Sequence, residues 1–234
     1  DLLAVLYTKH MNVDPSDPQM KGRDRLVMSK GHAGPALYAT LASFGFFPKE
    51  MLKTLNKIGT RLPSHCNMQL TPGVDMTTGS LGQGISCAVG MAIGAKMARE
   101  KARVYCVIGD GESQEGQVWE AVMLAAHRKL GNFTLFVDNN GMQIDDTTQN
   151  IVAVEDYEKK FKAFGFNAIR VDGHNHSAID MAIEKAKRCK TRPTAIILDT
   201  VKGKGVKFIE EMGVGNHSFS FGAAELEKAL AELN

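Results

Sequence analysis

Between residues 103 and 201 the chain alternates short runs of β-branched and aromatic residues with segments of helical periodicity. Continuously apolar strands that alternate with helices are typical of a parallel sheet covered on both faces. The sequence therefore predicts an α/β fold, a doubly wound, mainly parallel sheet flanked by helices. Its predicted strands are 103–109, 133–138, 166–171 and 194–201, and its predicted helices include 155–164 and 176–190. In such a sheet, ligands bind beyond the carboxyl ends of the strands.

Upstream of this region, segments 29–45, 48–58 and 81–100 have helical patterns. The last of them carries small residues every four positions: Gly82, Ser86, Gly90, Gly94 and Ala98. Each glycine inside a helix costs about 1 kcal/mol relative to alanine, so another backbone is expected to approach this stripe closely. The stripe fits a helix-to-helix interface and tight packing inside the same domain equally well.

Size and charge narrow the class of protein. The chain has 234 residues, of which 44% are hydrophobic, and this fits a single domain, 1–234. The formal charge is +2, without runs of Lys or Arg, so we expect neither nucleic acid nor a membrane as a partner. The four cysteines form no CxxC pair, which favours reduced thiols and a cytoplasmic location. Because Asp1 opens directly into a helical pattern, we expect an N-terminal lead-in segment to be missing.

The most informative motif is VIGDGESQEG, residues 107–116, where a predicted strand meets a helix. Its glycines allow a tight turn and a close approach of backbone N–H groups to an anion. The dinucleotide fingerprint is disfavoured, because the third glycine follows the second by five residues and no acidic residue lies near position 130. The Asp110 carboxylate would repel a bare phosphate, whereas a hard cation between them would bind both. The motif therefore indicates a metal–diphosphate ligand.

The next predicted strand ends in FVDNNGMQID, residues 136–145. Asn139 and Asn140 offer amide oxygens, and the NNGM turn can direct a main-chain carbonyl at the same cation. Alone, Asn-Asn-Gly is usually a turn. Together with Asp110 on the neighbouring strand, it predicts the second half of the metal site.

This pair of motifs resembles the thiamine diphosphate signature, and the likeness extends to a family. Segments 24–46 and 62–94, which include SKGHA and TTGSLGQG, resemble the N-terminal part of transketolases almost continuously, from residue 1 to about 205. Transketolases bind thiamine diphosphate between two subunits, with the diphosphate-binding domain of one facing the pyrimidine-binding domain of the other. Only the first of these domains is similar to this chain, which implies one half of a split transketolase, assembled as an α2β2 complex with a pyrimidine-domain subunit.

The resemblance also implies roles for individual residues. The metal, Mg²⁺ or Ca²⁺, would be held by Asp110, the Asn140 side chain and the Met142 carbonyl. The remaining implied residues contact the cofactor, line the substrate entrance or lie at a nearby subunit interface: His32, His65, His217, Gly79, Ser80, Leu81, Gly111, Glu115 and Glu120. The surroundings of His217 depart from the family pattern. The family's Gly-His-Pro-Gly segment would precede Asp1, so we expect either a truncated N-terminus or a protein that binds its substrate without this segment. Histidines 10, 127, 174 and 176 lie outside the matching motifs and are interpreted as surface or core residues.

The activity implied by the resemblance is transfer of a two-carbon ketol unit from a ketose phosphate to an aldose. The activating glutamate and most of the sugar-phosphate site belong to the other half, so the chain alone is expected to be inactive. Deoxyxylulose-phosphate synthase and the 2-oxo acid dehydrogenase α-subunit share the cofactor motifs and remain alternatives. A haloacid dehalogenase-type phosphatase and a non-catalytic binding subunit are further alternatives.

Overall fold

A computed structural model describes residues 1–233, and its centre is one five-stranded parallel sheet. The strands are β1 (Arg25–Met28), β2 (Val104–Gly109), β3 (Phe133–Asn139), β4 (Asn167–Asp172) and β5 (Thr194–Asp199). Their order across the sheet is β1-β2-β3-β5-β4. The four predicted strands are confirmed within two residues at each end. The short strand β1 was not predicted.

Helices cover both faces of the sheet. The α-helices of the described residues are α1 (Leu2–Val5), α2 (Gly34–Ser43), α3 (Gln83–Met97), α4 (Gly116–His127), α5 (Thr148–Ile151), α6 (Tyr157–Ala163), α7 (His176–Arg188), α8 (Lys207–Glu211) and α9 (Ala223–Leu233). A π-helical turn, Leu6–His10, extends α1, and short 3₁₀ turns span Gly31–Ala33, Lys49–Thr54, Glu112–Gln114 and Gly213–Ser218. The predicted helix 48–58 is therefore only a 3₁₀ segment, and the predicted helix 29–45 is shortened to α2 with its preceding turn.

Two hydrophobic cores lie on opposite faces of the sheet. One face packs Tyr105 and Phe136 against α1, α2 and α7. The other packs Cys106 and Leu135 against α3, α4 and α6. Neighbouring residues of a strand point to opposite faces, so strands buried on both sides need the uninterrupted apolar runs seen in the sequence. Within residues 1–233, no helix is long and apolar enough to span a membrane.

The small-residue stripe on α3 divides into two parts. Gly82 precedes the helix with a φ of +82°, and a side chain there would meet Glu115. Gly90 and Gly94 have no described atom within 4 Å of the position a Cβ would occupy. Packing within the same domain therefore explains Gly82 but neither Gly90 nor Gly94.

Candidate active site

A cavity of about 380 Å³ opens where β1, β2, β3 and β5 end. Parallel strands bring their carboxyl ends to one edge, so the segments that follow them meet there. The structure brings together eight of the residues expected from the sequence along this cavity: His32, Leu81, Asp110, Gly111, Glu115, Asn140, Met142 and His217. Gly79, Ser80, His65 and Glu120 do not line the cavity.

Asp110 is one of two buried carboxylates that line the cavity, at 1% exposure. Its oxygens accept hydrogen bonds from the backbone N–H groups of Gly111 at 2.8 Å and Gly141 at 2.5 Å. Burial raises the pKa of Asp110, and these two N–H groups oppose that shift. The Gly141 contact joins the segment after β2 to the turn after β3, as the two motifs predicted. Position 111 favours glycine because a Cβ there would lie 2.9 Å from the Gln143 side chain.

The turn after β3 presents the other oxygen donors. The Asn140 Oδ1 accepts a hydrogen bond from the Met142 N–H at 3.0 Å, and Gly141 between them has a φ of +73°. One carboxylate, one amide and one carbonyl form an oxygen-only set that fits Mg²⁺ or Ca²⁺. Within residues 1–233, no three His, Cys, Asp or Glu side chains cluster as a metal site, so a bound cation would depend on this mixed set and on the ligand's own oxygens.

Three histidine rings pack against one another beside the cavity, and this group is called the histidine cluster. The ring centroid of His32 lies 5.2 Å from that of His65 and 5.0 Å from that of His217. The His217 Nε2 lies 3.1 Å from the His32 Nδ1, so one of these nitrogens carries the proton between them. Partial burial, and then the neighbouring cationic groups, lower the pKa of both His32 and His217. Both rings are therefore neutral at pH 7, and each can donate one hydrogen bond and accept another.

His65 belongs to the histidine cluster but does not line the cavity. A Cβ on Gly79 would lie 3.1 Å from the His65 ring, and a Cβ on Gly31 would lie 2.8 Å from it. Gly79 has a φ of +151°, a conformation that side chains rarely allow. Gly79 therefore packs against the histidine cluster and does not line the cavity itself.

Comparison with known proteins decides the family. The family described as "Transketolase, thiamine diphosphate binding domain" matches residues 1–233. The chain belongs to the transketolase family. This membership sets aside the phosphatase hypothesis and makes the chain a thiamine diphosphate-binding domain with the expected α/β fold.

Two relatives that this transketolase domain matches over most of their length are named as transketolase subunits. The chain is 51% identical over 233 residues to the 6-deoxy-6-sulfo-D-fructose transketolase subunit SqwG of Clostridium sp. (strain MSTE9), covering all of this chain and 84% of that protein. It is 36% identical over 234 residues to an apulose-4-phosphate transketolase subunit of Phocaeicola vulgatus, covering 83% of that protein. The solved Campylobacter jejuni transketolase superposes with a TM-score of 0.90 at 34% identity, and 99% of this chain covers 37% of that one.

Two lysines in the transketolase cavity were not singled out from the sequence. Lys30 follows β1 and forms an ion pair with Asp138 at the end of β3, where the Thr200 hydroxyl also donates to Asp138. Lys202 follows β5, and its Nζ lies 2.9 Å from the His217 Nδ1. Burial, and then the Lys30 charge, lower the pKa of Lys202. The two ammonium groups place positive charge in the cavity, and the sequence signalled them only as lysines inside SKGHA and KGKG.

Glu112 is the other residue that sequence reasoning missed. Its side chain is buried, and its carboxylate accepts hydrogen bonds from the Ser29 hydroxyl at 2.5 Å and from the N–H groups of Gly82 at 3.0 Å and Gly109 at 3.2 Å. These donors belong to the segments after β1, before α3 and at the end of β2. Burial raises the pKa of Glu112. Glu112 therefore connects three of the segments that surround the cavity.

Glu115 and Glu120, the acidic pair expected near the cofactor, differ in position relative to the cavity. Glu115 is exposed at the N-terminus of α4 and lines the cavity rim, where its methylene groups cover Gly82. Glu120 is exposed on α4 and lies outside the cavity. A role for Glu120 at a subunit interface stays a prediction.

Proposed function

We propose that this chain is the cofactor-holding subunit of a two-chain transketolase, which transfers a two-carbon ketol unit from a ketose donor to an aldose acceptor. The observation that carries this proposal is the meeting of Asp110, Asn140 and the His32–His217 pair in one cavity at the carboxyl edge of the sheet. Likeness over the whole chain to two proteins that are each named a transketolase subunit supports the two-chain arrangement.

The proposed cofactor site has a metal part and a phosphate part. Asp110, the Asn140 side chain and the Met142 carbonyl would hold Mg²⁺, or Ca²⁺ in its place. Lys30 and Lys202 would neutralise the part of the diphosphate charge that the metal does not neutralise. Gly111 would allow the diphosphate to approach the backbone closely, since no side chain stands in the way. Leu81, with Gly79 and Ser80 behind it, would contact the rings of the cofactor.

When bound, thiamine diphosphate supplies a carbon nucleophile that also accepts the electron pair of the broken bond. His32, His65 and His217 would orient the substrate hydroxyl and carbonyl groups. Because the His32 ring is neutral, it can take a proton from a hydroxyl and return it to a carbonyl oxygen as its charge develops, whereas both ring nitrogens of His217 face Lys202 and His32. The contact between Lys202 and the His217 Nδ1 would hold the His217 ring in one orientation.

The proposed partner carries the pyrimidine-binding domain in an α2β2 complex in the cytoplasm. It would supply the glutamate that activates the cofactor and most of the groups that bind the anionic end of the sugar. The relative at 51% identity is named for 6-deoxy-6-sulfo-D-fructose, so this sulfo-sugar is the first donor to test, beside a sugar phosphate.

The deciding experiment compares the chain alone with the chain mixed with its pyrimidine-domain partner, in the presence of thiamine diphosphate and Mg²⁺. We expect ketol transfer to an aldose only in the mixture. Turnover by the isolated chain at the rate of the mixture would refute the two-chain proposal. Release of CO₂ from pyruvate would instead favour the synthase or dehydrogenase alternatives, and cofactor binding without turnover on any donor would favour a non-catalytic subunit.

A further inference from the structure

A histidine interpreted as an ordinary surface residue connects two distant segments. His174 follows β4, and both of its ring nitrogens have partners. Its Nδ1 lies 2.8 Å from the Asp1 carboxylate, and its Nε2 accepts a hydrogen bond from the Val201 backbone N–H at 2.8 Å. The ring is 21% exposed, so the two contacts are partly shielded from water.

These contacts assign the proton on the ring. A backbone N–H can only donate, so the Nε2 that faces Val201 carries no proton. The proton of the neutral ring is then on Nδ1, where it points to Asp1. Two other groups belong to this cluster: the Asp172 carboxylate accepts from the His174 backbone N–H at 2.8 Å, and the His176 ring shares the Asp1 carboxylate at 2.7 Å. The Asp1 carboxylate therefore orients His174 so that its bare nitrogen faces the segment after β5.

That segment carries Lys202. It begins at Thr200, whose N–H donates to the Asn139 carbonyl at 3.2 Å, and it contains Gly203 and Gly205, both at positive φ. Gly173, beside His174, donates its N–H to the Asp199 carbonyl at 2.8 Å, which brings the two segments together. The hydrogen bond from the Val201 N–H to His174 is thus the contact that ties this segment to the loop after β4, while the Val201 carbonyl accepts from the Lys204 N–H at 3.2 Å and the Lys202 carbonyl from the Asn216 side chain at 3.5 Å.

We infer that His174 is a positioning residue, which fixes the 200–205 segment so that the Lys202 ammonium group lies in the cavity against His217. The inference rests on the proposed function for the identity of the bound anion. His174 does not line the cavity, so its effect on a ligand would pass through the backbone of Val201. Neither the family motifs nor residue spacing assigns this role.

Two substitutions separate the contacts of His174 in the full chain. In His174→Gln, the amide oxygen reaches the Nε2 position, so the acceptor for Val201 is kept and the contact with Asp1 is lost. In His174→Asn, the amide reaches only the Nδ1 position, so the contact with Asp1 is kept and the acceptor for Val201 is lost. The two variants are matched in polarity, and their melting temperatures show whether both are folded.

Two measurements then test the inference. For the chain without ligand, we expect amide hydrogen exchange at Val201 to be about fivefold faster in His174→Asn and near wild type in His174→Gln. By calorimetry with Mg²⁺ and the chain's partner, we expect thiamine diphosphate to bind about fivefold more weakly to His174→Asn only. Wild-type exchange in His174→Asn, or equal effects in both variants, would overturn the inference.

A double-mutant cycle identifies the route of the effect. If His174 acts through Lys202, His174→Asn should have little further effect on affinity in a Lys202→Met background. Fully additive losses would contradict that route. Failure of the wild-type chain to bind thiamine diphosphate would refute the proposed function alone, because the exchange measurement at Val201 requires no ligand.

Discussion

Substitution of Gly84 in α3 tests how closely α3 packs against the sheet. A Cβ at this position would lie 2.6 Å from the Ser29 Oγ, 2.8 Å from its Cβ and 2.9 Å from its Cα. The last of these atoms belongs to the backbone just after β1, so no side-chain rotation relieves the contact. The same Ser29 hydroxyl donates to Glu112, so displacement of Ser29 would also weaken that hydrogen bond.

The expected magnitude follows from two opposing terms. Overpacking of this kind costs about 1–3 kcal/mol, and contact with backbone favours the upper part of that range. Alanine gains at most about 1 kcal/mol over glycine in a helix, and less in the first turn, where Gly84 lies. Gly84→Ala should therefore lower the free energy of unfolding by about 1–2 kcal/mol, or the melting temperature by about 2–8 °C.

Gly90→Ala is the matched control on the same helix. No described atom lies within 4 Å of its Cβ position, so the isolated chain should gain up to about 1 kcal/mol of stability. Urea unfolding of both variants and the wild type measures the difference. Shifts of the same sign and size in the two variants would refute the packing argument. Loss of binding to the partner chain in Gly90→Ala alone would favour the interface interpretation of the stripe.

Three further predictions concern the cavity and the first helix. Asp110→Ala should abolish Mg²⁺-dependent binding of thiamine diphosphate, and unchanged affinity by calorimetry would contradict the metal assignment. Glu112→Gln should lower the free energy of unfolding by about 1–3 kcal/mol because one buried backbone N–H loses its acceptor. The exposed control Glu120→Gln should change the free energy of unfolding, measured with urea, by less than about 0.5 kcal/mol. Burial lowers the pKa of His10 in the folded chain. The unfolded chain therefore binds more protons below about pH 6.5, and the free energy of unfolding should fall as the pH drops through that value. A His10→Phe variant should show a shallower fall in urea titrations from pH 7 to 5.

Three of the four strands that the sequence predicted, β2, β3 and β5, are buried on both faces of the sheet, and the fourth, β4, is a partly exposed edge strand in which β-branched residues alternate with polar ones. Strand β1 was missed because Arg23, Asp24 and Arg25 precede its short apolar run and are typical of a loop. In the fold, Arg23 forms a buried ion pair with Asp75, and the Asp24 carboxylate accepts from the Arg103 N–H at 2.7 Å. The partners of these charges are tens of residues away, so no local pattern could reveal that they are satisfied.

The cavity shows the same difference between residues that a local pattern reveals and residues whose partners are distant in the sequence. Asp110 and Asn140 could be predicted because each directly follows a strand and carries a ligand type that a metal prefers. Glu112 could not, since its hydroxyl partner is Ser29, and neither could the contact of His174 with Val201. These roles are created by tertiary contacts between segments that are far apart in the sequence. A motif shows which groups can react, but not which groups hold them in place.

The ion pair between Lys30 and Asp138 has a consequence for local unfolding. Within residues 1–233, β1 pairs with β2 alone, and it has only four residues, so it should open more readily than the central strands. Lys30 lies two residues beyond the end of this strand, and opening β1 would withdraw its ammonium group from the cavity. An anion bound there therefore favours the closed strand by mass action. Slower hydrogen exchange at the β1 amides should accompany ligand binding, because closure of this short edge strand and occupancy of the cavity would stabilise each other.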